Sequence, residues 1–452
     1  MDENPTSLRV ADPGIRDLFS LDSRWQAWLD VEAALALAEA ELGMVPDEAA
    51  AEIVKKCKLE LLDRDGVIEG LRRTAHPLVP LVWELSKVCD GDAGNYVHWG
   101  ATTQNITQTG NLIILRQVHG IFLRQLADIL TAMADLAERG ADMVLPGRTH
   151  GQHAVPATFG YKIAVWISEI VNHVDRLRGI EPRIFTVLLG GAAGTMASFD
   201  GKGYEIQDGV AKRLGMTSMP MPSRTMGDHQ AEYVCLLGLM AATCSKIGHE
   251  VYTLMKQEFG EVEEPVPPGT VGSSTMPQKR NPKLSQDIIA AAMQVRALVP
   301  QALESMQTEH EADRTTSITM NHALQESSAQ MGDILSRMTM MLEGMTLNPE
   351  RMRQNLDLTD GMIMAETLML SLGETIGRQE AHDVIYDAAQ AAATGAGKFT
   401  ELLEADAKVQ AHMTSAQVRE LLDPTAYIGE CAAMALTQAE RARNVAADIN
   451  AN

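Results

Sequence analysis

The chain has 452 residues, enough for two or three domains and a large hydrophobic core. Aromatic residues make up only 4% of it, and its formal net charge at pH 7 is −22. Such an excess of negative charge opposes binding to nucleic acid and to anionic membranes, so neither is expected as a partner. An anionic ligand would need a local group of cationic side chains.

The cysteines indicate a reducing environment rather than a disulfide framework. They number five, and no Cys-x-x-Cys or Cys/His metal spacing occurs. The N-terminal segment MDENPTSLRVADPG does not resemble a signal peptide, and we predict that no apolar run reaches the length of about 20 residues that crosses a bilayer. We therefore expect a cytoplasmic protein without a metal or another cofactor.

The pattern of apolar residues in about the first hundred positions predicts helices of moderate length. The segment SRWQAWLDVEAALALAEAELG repeats apolar residues at helical spacing. Asp22 or Ser23 can cap this helix, and Gly43 and Pro46 end it. Shorter helices are predicted near 47–58 and 60–73.

Two polar segments follow these helices. His76 precedes a proline, which favours an extended residue at a helix start, and a capping or surface role is the simple alternative to a functional one. Within YVHWGATTQNITQTG, His98 precedes a polar cluster that includes Thr102 and Thr103. The cluster can cap the next helix, and the free N–H groups of a helix start can also bind a carboxylate. The two roles are compatible, because they use the same donors.

Five long helices are predicted for the middle of the chain. Since helices average about 11–12 residues, segments of this length indicate an elongated bundle. No strand-like alternation of useful length is present, so the predicted fold class is all-α, and Pro300 predicts a kink or break in the fourth helix. The predicted ranges are 108–139, 158–180, 228–258, 283–308 and 317–345.

Two glycine-rich segments separate some of these helices. PGRTHGQHAVPATFG places Arg148, Thr149, His150 and His153 on a loop or a sharp break, and no further ligand completes a zinc site there. LLGGAAGTMASFDG, residues 188–201, lacks the GK[ST] ending of a phosphate loop. Close packing of the backbone is the expected use of its glycines.

The densest group of chemically useful residues is TVGSSTMPQKRNP, residues 270–282. It follows prolines and a glycine and precedes a helix, so it is predicted to be a loop. A polar turn between helices is the simple alternative. Loops on a rigid scaffold often carry function, and this one combines hydroxyl groups, cations and amides. Its candidate residues are Ser273, Ser274, Gln278, Lys279, Arg280 and Asn281.

The helical pattern changes near residue 350, where shorter helices separated by glycines and Pro424 begin. We predict three domains from these changes. They are a helical N-terminal domain at 1–107, a central bundle at 108–350 that carries the loop 260–282, and a small helical C-terminal domain at 351–452.

Three motifs resemble those of the fumarase/aspartase superfamily, and the resemblance covers nearly the whole chain. They are HWGATTQN, GRTHGQHAVPATFG and GSSTMPQKRNP, with Asn105 and Gln278 in place of the usual aspartate and histidine. The most similar branch contains adenylosuccinate lyase and 3-carboxy-cis,cis-muconate cycloisomerase. The resemblance implies the three-domain fumarase/aspartase-like fold and a homotetramer with a twenty-helix core. It also implies active sites that combine the three motifs from three subunits.

The resemblance further implies a reaction on a small anionic dicarboxylate, without a cofactor. Family members remove a proton next to a carboxylate of a succinyl substrate, and the leaving group departs to give fumarate. The base maps to Ser273, with Ser274 beside it, and the general acid maps to His150, while His76 falls on the histidine of the TRHD motif of adenylosuccinate lyase. The expected substrate-binding residues are His98, Thr102, Thr103, Arg148, Thr149, Gln278, Lys279, Arg280 and Asn281.

Departures from the adenylosuccinate lyase pattern argue against an AMP-sized substrate. The Arg-Tyr pair of that enzyme aligns with Arg9 and Val10, QRDRHADY aligns with 226–233, and SAER aligns with 318–321, so most phosphate-binding cations are missing. Elimination of a smaller amine from an N-substituted aspartate is the main hypothesis. Bacterial cycloisomerases tend to have tryptophan at the position of His150, which favours elimination. A lactonising cycloisomerase and a non-catalytic structural protein on the same scaffold are the alternatives.

Overall fold

A computed structural model describes residues 5–451, so residues 1–4 of the predicted N-terminal domain and Asn452 lie outside it. The chain divides into two compact units. The first contains the described part of Met1–Arg124 together with His173–Cys244 and Ala290–Ser336. The second contains Gln125–Asn172, Ser245–Ile289 and the described part of Arg337–Asn452.

Residues 5–451 form eighteen α-helices. In chain order, the bounds of α1 to α18 are Ile15–Leu18, Leu21–Glu41, Asp47–Lys56, Arg64–Thr74, Val79–Val88, Thr103–Arg139, Phe159–Ile184, Gly203–Leu214, Asp228–Leu254, Lys283–Glu304, Arg314–Glu343, Pro349–Leu356, Ala365–Ile376, Arg378–Ala393, Phe399–Ala405, Ala407–His412, Ser415–Leu421 and Cys431–Ala451.

The all-α prediction is confirmed, and the five long helices are α6, α7, α9, α10 and α11. Helix α6 has 37 residues and begins at Thr103, within the polar cluster rather than after it. Helix α10 continues through Pro300 to Glu304, so of the predicted kink or break, the break is absent. The helix loses a single backbone donor at the proline and has 22 residues over which to keep its other bonds.

Six short strands accompany the helices in the described chain, and the sequence analysis predicted none of them. Strands β1 and β2 form an antiparallel hairpin where a loop or sharp break was predicted. Its prolines and glycines hid the alternation that marks a strand. The bounds of β1 to β6 are Val144–Thr149, Gln152–Thr158, Thr186–Val187, Thr217–Ser218, Val262–Glu263 and Thr346–Leu347.

The first unit has an apolar cluster around α2. Trp25 and Leu29 are fully buried in it and pack with apolar side chains from α3 to α6 and α8. Ser20, rather than Asp22 or Ser23, caps the N-terminus of α2, because its Oγ accepts a hydrogen bond from the Ser23 N–H at 3.3 Å. This core fixes one wall of the polar cavity described below.

The second unit has a separate cluster formed by α13 to α17, with Phe399 and Leu403 fully buried. These helices are short, as the change of pattern near residue 350 predicts. Helix α18 is longer than expected for that region, with 21 residues.

Helix α9 is long and apolar enough to cross a membrane by length and composition alone. The prediction that no apolar run reaches this length is therefore wrong for this segment. However, 56% of its apolar window is buried inside the protein, and core helices pass the same test, so it is weak evidence for a membrane span.

Candidate active site

The loop before α10 surrounds one of its two serines with backbone donors. The Oγ of Ser273 accepts hydrogen bonds from the N–H groups of Thr275 at 3.3 Å and Met276 at 3.1 Å. Ser273 is half-buried, whereas Ser274 is exposed and its hydroxyl has no hydrogen-bond partner in the described chain. The two neighbouring hydroxyls therefore differ in environment, and Ser273 is the one whose negative charge would be stabilised.

Hydrogen bonds from side chains to backbone oxygens hold this loop in a tight closure. The amide of Asn281 donates to the Gly272 oxygen at 2.8 Å, and Lys283 Nζ donates to the Val271 oxygen at 2.8 Å. A Cβ at Gly272 would lie 1.7 Å from the Lys279 oxygen, so only glycine fits there. The side chains of Lys279 and Gln278 are exposed on the same loop, while Arg280 pairs with Glu263 at 2.8 Å.

Two buried glutamates just before this loop bind other groups of the second unit. Glu264 accepts hydrogen bonds from the Leu284 N–H at 2.8 Å and the Ser285 N–H at 3.1 Å, so it caps the start of α10. Glu261 is fully buried and binds both terminal nitrogens of Arg148, at 2.5 and 3.1 Å. The guanidinium of Arg148 is thus occupied within the chain.

His150 lies at the tip of the β1–β2 hairpin. Thr149 pairs with Gln152, so His150 and Gly151 form a two-residue turn in which both have positive φ, 51° and 76°. Histidine is one of the few non-glycine residues enriched in this conformation. The turn leaves Thr149 and His150 exposed. Further along β2, burial and then the charge of Arg148 lower the pKa of His153.

His76 is fixed as a neutral imidazole in the first unit. Its Nδ1 accepts hydrogen bonds from the N–H groups of Leu78 at 3.3 Å and Val79 at 3.0 Å, at the start of α5. The proton of the neutral ring is therefore on Nε2, which lies 3.3 Å from the Thr103 Oγ. Burial, with smaller effects of Arg314 and His98, lowers the pKa of His76 and favours this neutral form.

Asn105 connects the start of α6 to the glycine-rich loop. Its Oδ1 accepts hydrogen bonds from the N–H groups of Thr102 and Gly191, each at 3.1 Å. Ser198 in the same loop donates to the Gly100 oxygen at 2.6 Å. A Cβ at Gly190 would lie 2.0 Å from a neighbouring backbone oxygen. This agrees with the prediction that these glycines serve close backbone packing.

His98 is paired with a buried carboxylate. Its Nδ1 lies 2.6 Å from Oε1 of Glu32, and Glu32 is buried on α2. Burial of the ring lowers the pKa of His98, but the charge and hydrogen bond of Glu32 outweigh this, so the net shift of the pKa is upward. The pair fixes the imidazole before Gly100, in a backbone with positive φ.

A second buried carboxyl on α2 makes stability depend on pH. Glu39 is fully buried, and neither of its oxygens has a hydrogen-bond partner in the described chain. Burial and then the charge of Glu32 raise the pKa of Glu39 from 4.5 to about 8. The folded protein therefore binds this proton more tightly than the unfolded chain, and the free energy of unfolding falls as pH rises across this range.

We expect Glu39→Gln, which mimics the protonated carboxyl, to remove this loss. Between about pH 5 and pH 8 the variant should gain roughly 3 kcal/mol of unfolding free energy relative to the unchanged protein. Urea unfolding at both pH values and equal protein concentration measures the difference. Glu48→Gln on α3, whose side chain is exposed, is the control and should show no such gain. Equal behaviour of the two variants would contradict an ionisable core at Glu39.

A polar cavity of about 430 Å³ opens in the first unit between the N-terminal parts of α6 and α11. His76, Thr102 and Thr103 line it, so the structure brings together three of the predicted residues of this unit. The sequence analysis missed three arginines that also line it. They come from distant segments without a shared motif, and they are Arg24, Arg224 and Arg314.

His98 also lies in the first unit but does not line the cavity, and the remaining predicted site residues lie in the second unit, on the hairpin and the loop. In residues 5–451, no group of three or more His, Cys, Asp or Glu side chains is arranged to hold a metal ion. The residues of the second unit are Arg148, Thr149, His150, Ser273, Ser274, Gln278, Lys279, Arg280 and Asn281.

Family models match most of the chain. A model described as lyase matches residues 7–297, and one described as adenylosuccinate lyase C-terminus matches residues 361–436. An N-acetyl-S-(2-succino)cysteine lyase from Enterococcus italicus is 36% identical and covers 92% of each chain. An adenylosuccinate lyase from Methanocaldococcus jannaschii is 36% identical over 94% of this chain and 93% of its own.

A solved structure has the same fold. The 3-carboxy-cis,cis-muconate lactonizing enzyme from Pseudomonas putida superposes with a TM-score of 0.87, at 32% identity and over 99% of both chains. The helical fold and these matches define an enzyme of the fumarate lyase superfamily. The chain belongs to the fumarase/aspartase superfamily, in the branch of adenylosuccinate lyase and 3-carboxy-cis,cis-muconate cycloisomerase.

Proposed function

We propose that the protein is a lyase that releases fumarate and an amine from an N-substituted aspartate, by reversible β-elimination. The observation that carries this proposal is the pair of backbone N–H donors on Ser273. A serine can act as a base at neutral pH only if its alkoxide is stabilised, and two fixed donors supply that stabilisation without reorganisation.

Ser273 Oγ takes a proton from the carbon next to one substrate carboxylate, and the charge moves into that carboxylate. The bond to nitrogen on the neighbouring carbon then breaks as the double bond of fumarate forms. Lys279, exposed on the same loop, supplies a cation for the developing charge. Ser274, Gln278, Arg280 and Asn281 complete the loop.

His150 donates a proton to the departing nitrogen, because an amine cannot leave as an anion. Its exposed place at a hairpin tip lets it reach a substrate held by other residues, and Thr149 beside it offers a hydroxyl. We assign Arg148 to positioning this hairpin through Glu261, since its guanidinium is already bound there.

The substrate carboxylates bind at the start of α6, where Thr102 and Thr103 accompany free N–H groups. His76 donates from Nε2 to the substrate or to Thr103, and His98 fixes the neighbouring backbone. The residues of the first and second units combine between subunits of a homotetramer with a twenty-helix core. The three predicted domains, at 1–107, 108–350 and 351–452, and a cytoplasmic location belong to this proposal.

Two similarities to known proteins suggest alternative reactions that the experiment must distinguish. A similar protein is named for a substrate with a succino group on sulfur, which makes a thiol the alternative leaving group to the amine. The similarity to a lactonizing enzyme makes cycloisomerisation of carboxymuconate the second candidate.

Fumarate release, followed by ultraviolet absorbance, tests the proposal. The substrates are adenylosuccinate, argininosuccinate, aspartate, smaller N-substituted aspartates, a 2-succino thioether and carboxymuconate. We expect fumarate from a small N-substituted aspartate and little or none from adenylosuccinate. Consumption of carboxymuconate without fumarate would overturn the proposal in favour of the cycloisomerase. Fumarate from the thioether alone would keep the elimination but replace the amine.

A further inference from the structure

The cavity of the first unit is cationic within an acidic protein. Arg24, Arg224 and Arg314 line it, and its lining residues, all within 5–451, include no aspartate or glutamate. None of the three guanidiniums forms an ion pair in the described chain. Three unpaired cations around one cavity, in a chain of net charge −22, indicate an anionic ligand.

Two buried N–H donors strengthen this assignment. Gln108 and Trp28 line the same cavity and are 9% and 7% exposed. The Nε2 of Gln108 and the Nε1 of Trp28 have no hydrogen-bond partner among the described residues. Buried donors normally have acceptors, so a ligand rich in oxygen atoms would satisfy them.

The cavity is longer than a succinyl unit. Its lining on α6 runs from Thr103 to Asn111, which spans about 12 Å at the rise of an α-helix. Arg24 and Asn111 also line a smaller adjoining cavity, so Arg24 lies toward the Asn111 end. The four carbons of a succinyl unit extend about 4 Å, as four atoms of the backbone do. Its two carboxylates cannot use the whole cationic length.

Arg224 lines the same cavity beside Gln104, and donors of its guanidinium remain open to an anion. Its Nε donates to Oε1 of Gln104 at 3.0 Å, and its Nη1 donates to the Ala192 oxygen at 2.6 Å. Gln104 is itself held, because its Nε2 donates to Oε1 of Gln108 at 2.9 Å. Two of the five donors of the guanidinium are used, so the planar fork is fixed while its remaining donors stay open.

We propose that this cavity selects substrates whose leaving group carries a carboxylate of its own, beyond the two of the succinyl unit, and that Arg224 determines this specificity. The inference rests on the proposed elimination, because that reaction defines which part of the substrate is the leaving group. The binding preference for a third carboxylate can be measured without any turnover.

The test compares two inert ligands that differ by one carboxymethyl group, tricarballylate and succinate. Titration calorimetry on the full chain should show tricarballylate binding at least about tenfold more tightly, since one charge-assisted bond to arginine contributes about a factor of 10 to 100. Arg224→Gln should remove most of this preference and leave succinate binding unchanged. Arg224→Lys, which keeps the charge but loses the fork, should retain part of it.

Arg72→Gln is the control, because Arg72 is exposed on α4, pairs with Glu69 and does not line the cavity. It should leave both affinities unchanged. Equal affinity for the two ligands in the unchanged protein would overturn the proposal. The proposal would also be overturned if Arg224→Gln weakened the binding of succinate as much as that of tricarballylate, because Arg224 would then have a structural role.

Turnover separates this inference from the proposed function. N-(carboxymethyl)aspartate and N-ethylaspartate differ in the third carboxylate alone, and the first should have a kcat/KM about 10 to 100 times higher. Equal fumarate release from both substrates would contradict the selection for a third carboxylate and support the proposed lyase activity. Tight tricarballylate binding with no fumarate from any substrate would contradict the lyase activity and support the anion site.

Discussion

Replacing Ser273 with alanine is expected to lower kcat by roughly 100- to 10,000-fold while KM stays within a few-fold. The removed hydroxyl is the one that accepts two backbone N–H bonds in the loop. It acts on a proton that moves only in the transition state, so substrate binding should persist. Steady-state fumarate release with the best substrate of the panel measures both constants.

Ser274→Ala is the matched control for this experiment. Ser274 is the next residue of the same loop, but its exposed hydroxyl has no hydrogen-bond partner in the described chain. Its loss should cost less than about tenfold, since no donors stabilise an alkoxide there. A larger loss for Ser274→Ala than for Ser273→Ala would reverse the assignment of the base. Tryptic protection and thermal unfolding of both variants would exclude a folding defect.

The sequence was informative about the long helices because their apolar spacing persists for many turns. Helices α6 to α11 bury this pattern, and even the start of α9 was predicted at residue 228. The hairpin at Val144–Thr149 and Gln152–Thr158 was missed because Pro146 and Pro156 face each other within it. Prolines of this kind argue against a strand when only the local sequence is considered.

The sequence predicted some residues of the site and missed others, for a related physical reason. Motifs that are local in sequence, such as the serine loop, are visible as clusters. Arg24, Arg224 and Arg314 meet at one cavity through the packing of α2, α6 and α11, and nothing near them in sequence marks them. Arg148 shows the opposite case, because its motif suggested a substrate ligand while the buried Glu261 already binds its guanidinium.

His150→Asn is expected to slow amine elimination by roughly 100- to 10,000-fold, the usual contribution of a general acid. Asparagine tolerates the positive φ of 51° at the hairpin tip, so the turn should persist without the proton donor. The informative comparison is with nitrophenylthio-succinate, whose thiolate leaves as a stable coloured anion. For this substrate the variant should lose less than about tenfold, because departure needs no proton.

The ratio of the rate losses with the amine and the thioether substrates distinguishes a general acid from a residue that only shapes the turn. A general acid contributes in proportion to the basicity of the leaving group, so the amine substrate must suffer more than the thioether. If His150 acts only by shaping the turn, any loss of rate in His150→Asn is equal for the two substrates, and the variant His150→Gly, which suits the turn better still, restores both. If it is the acid, His150→Gly remains as slow as His150→Asn with the amine, and added imidazole restores part of the rate.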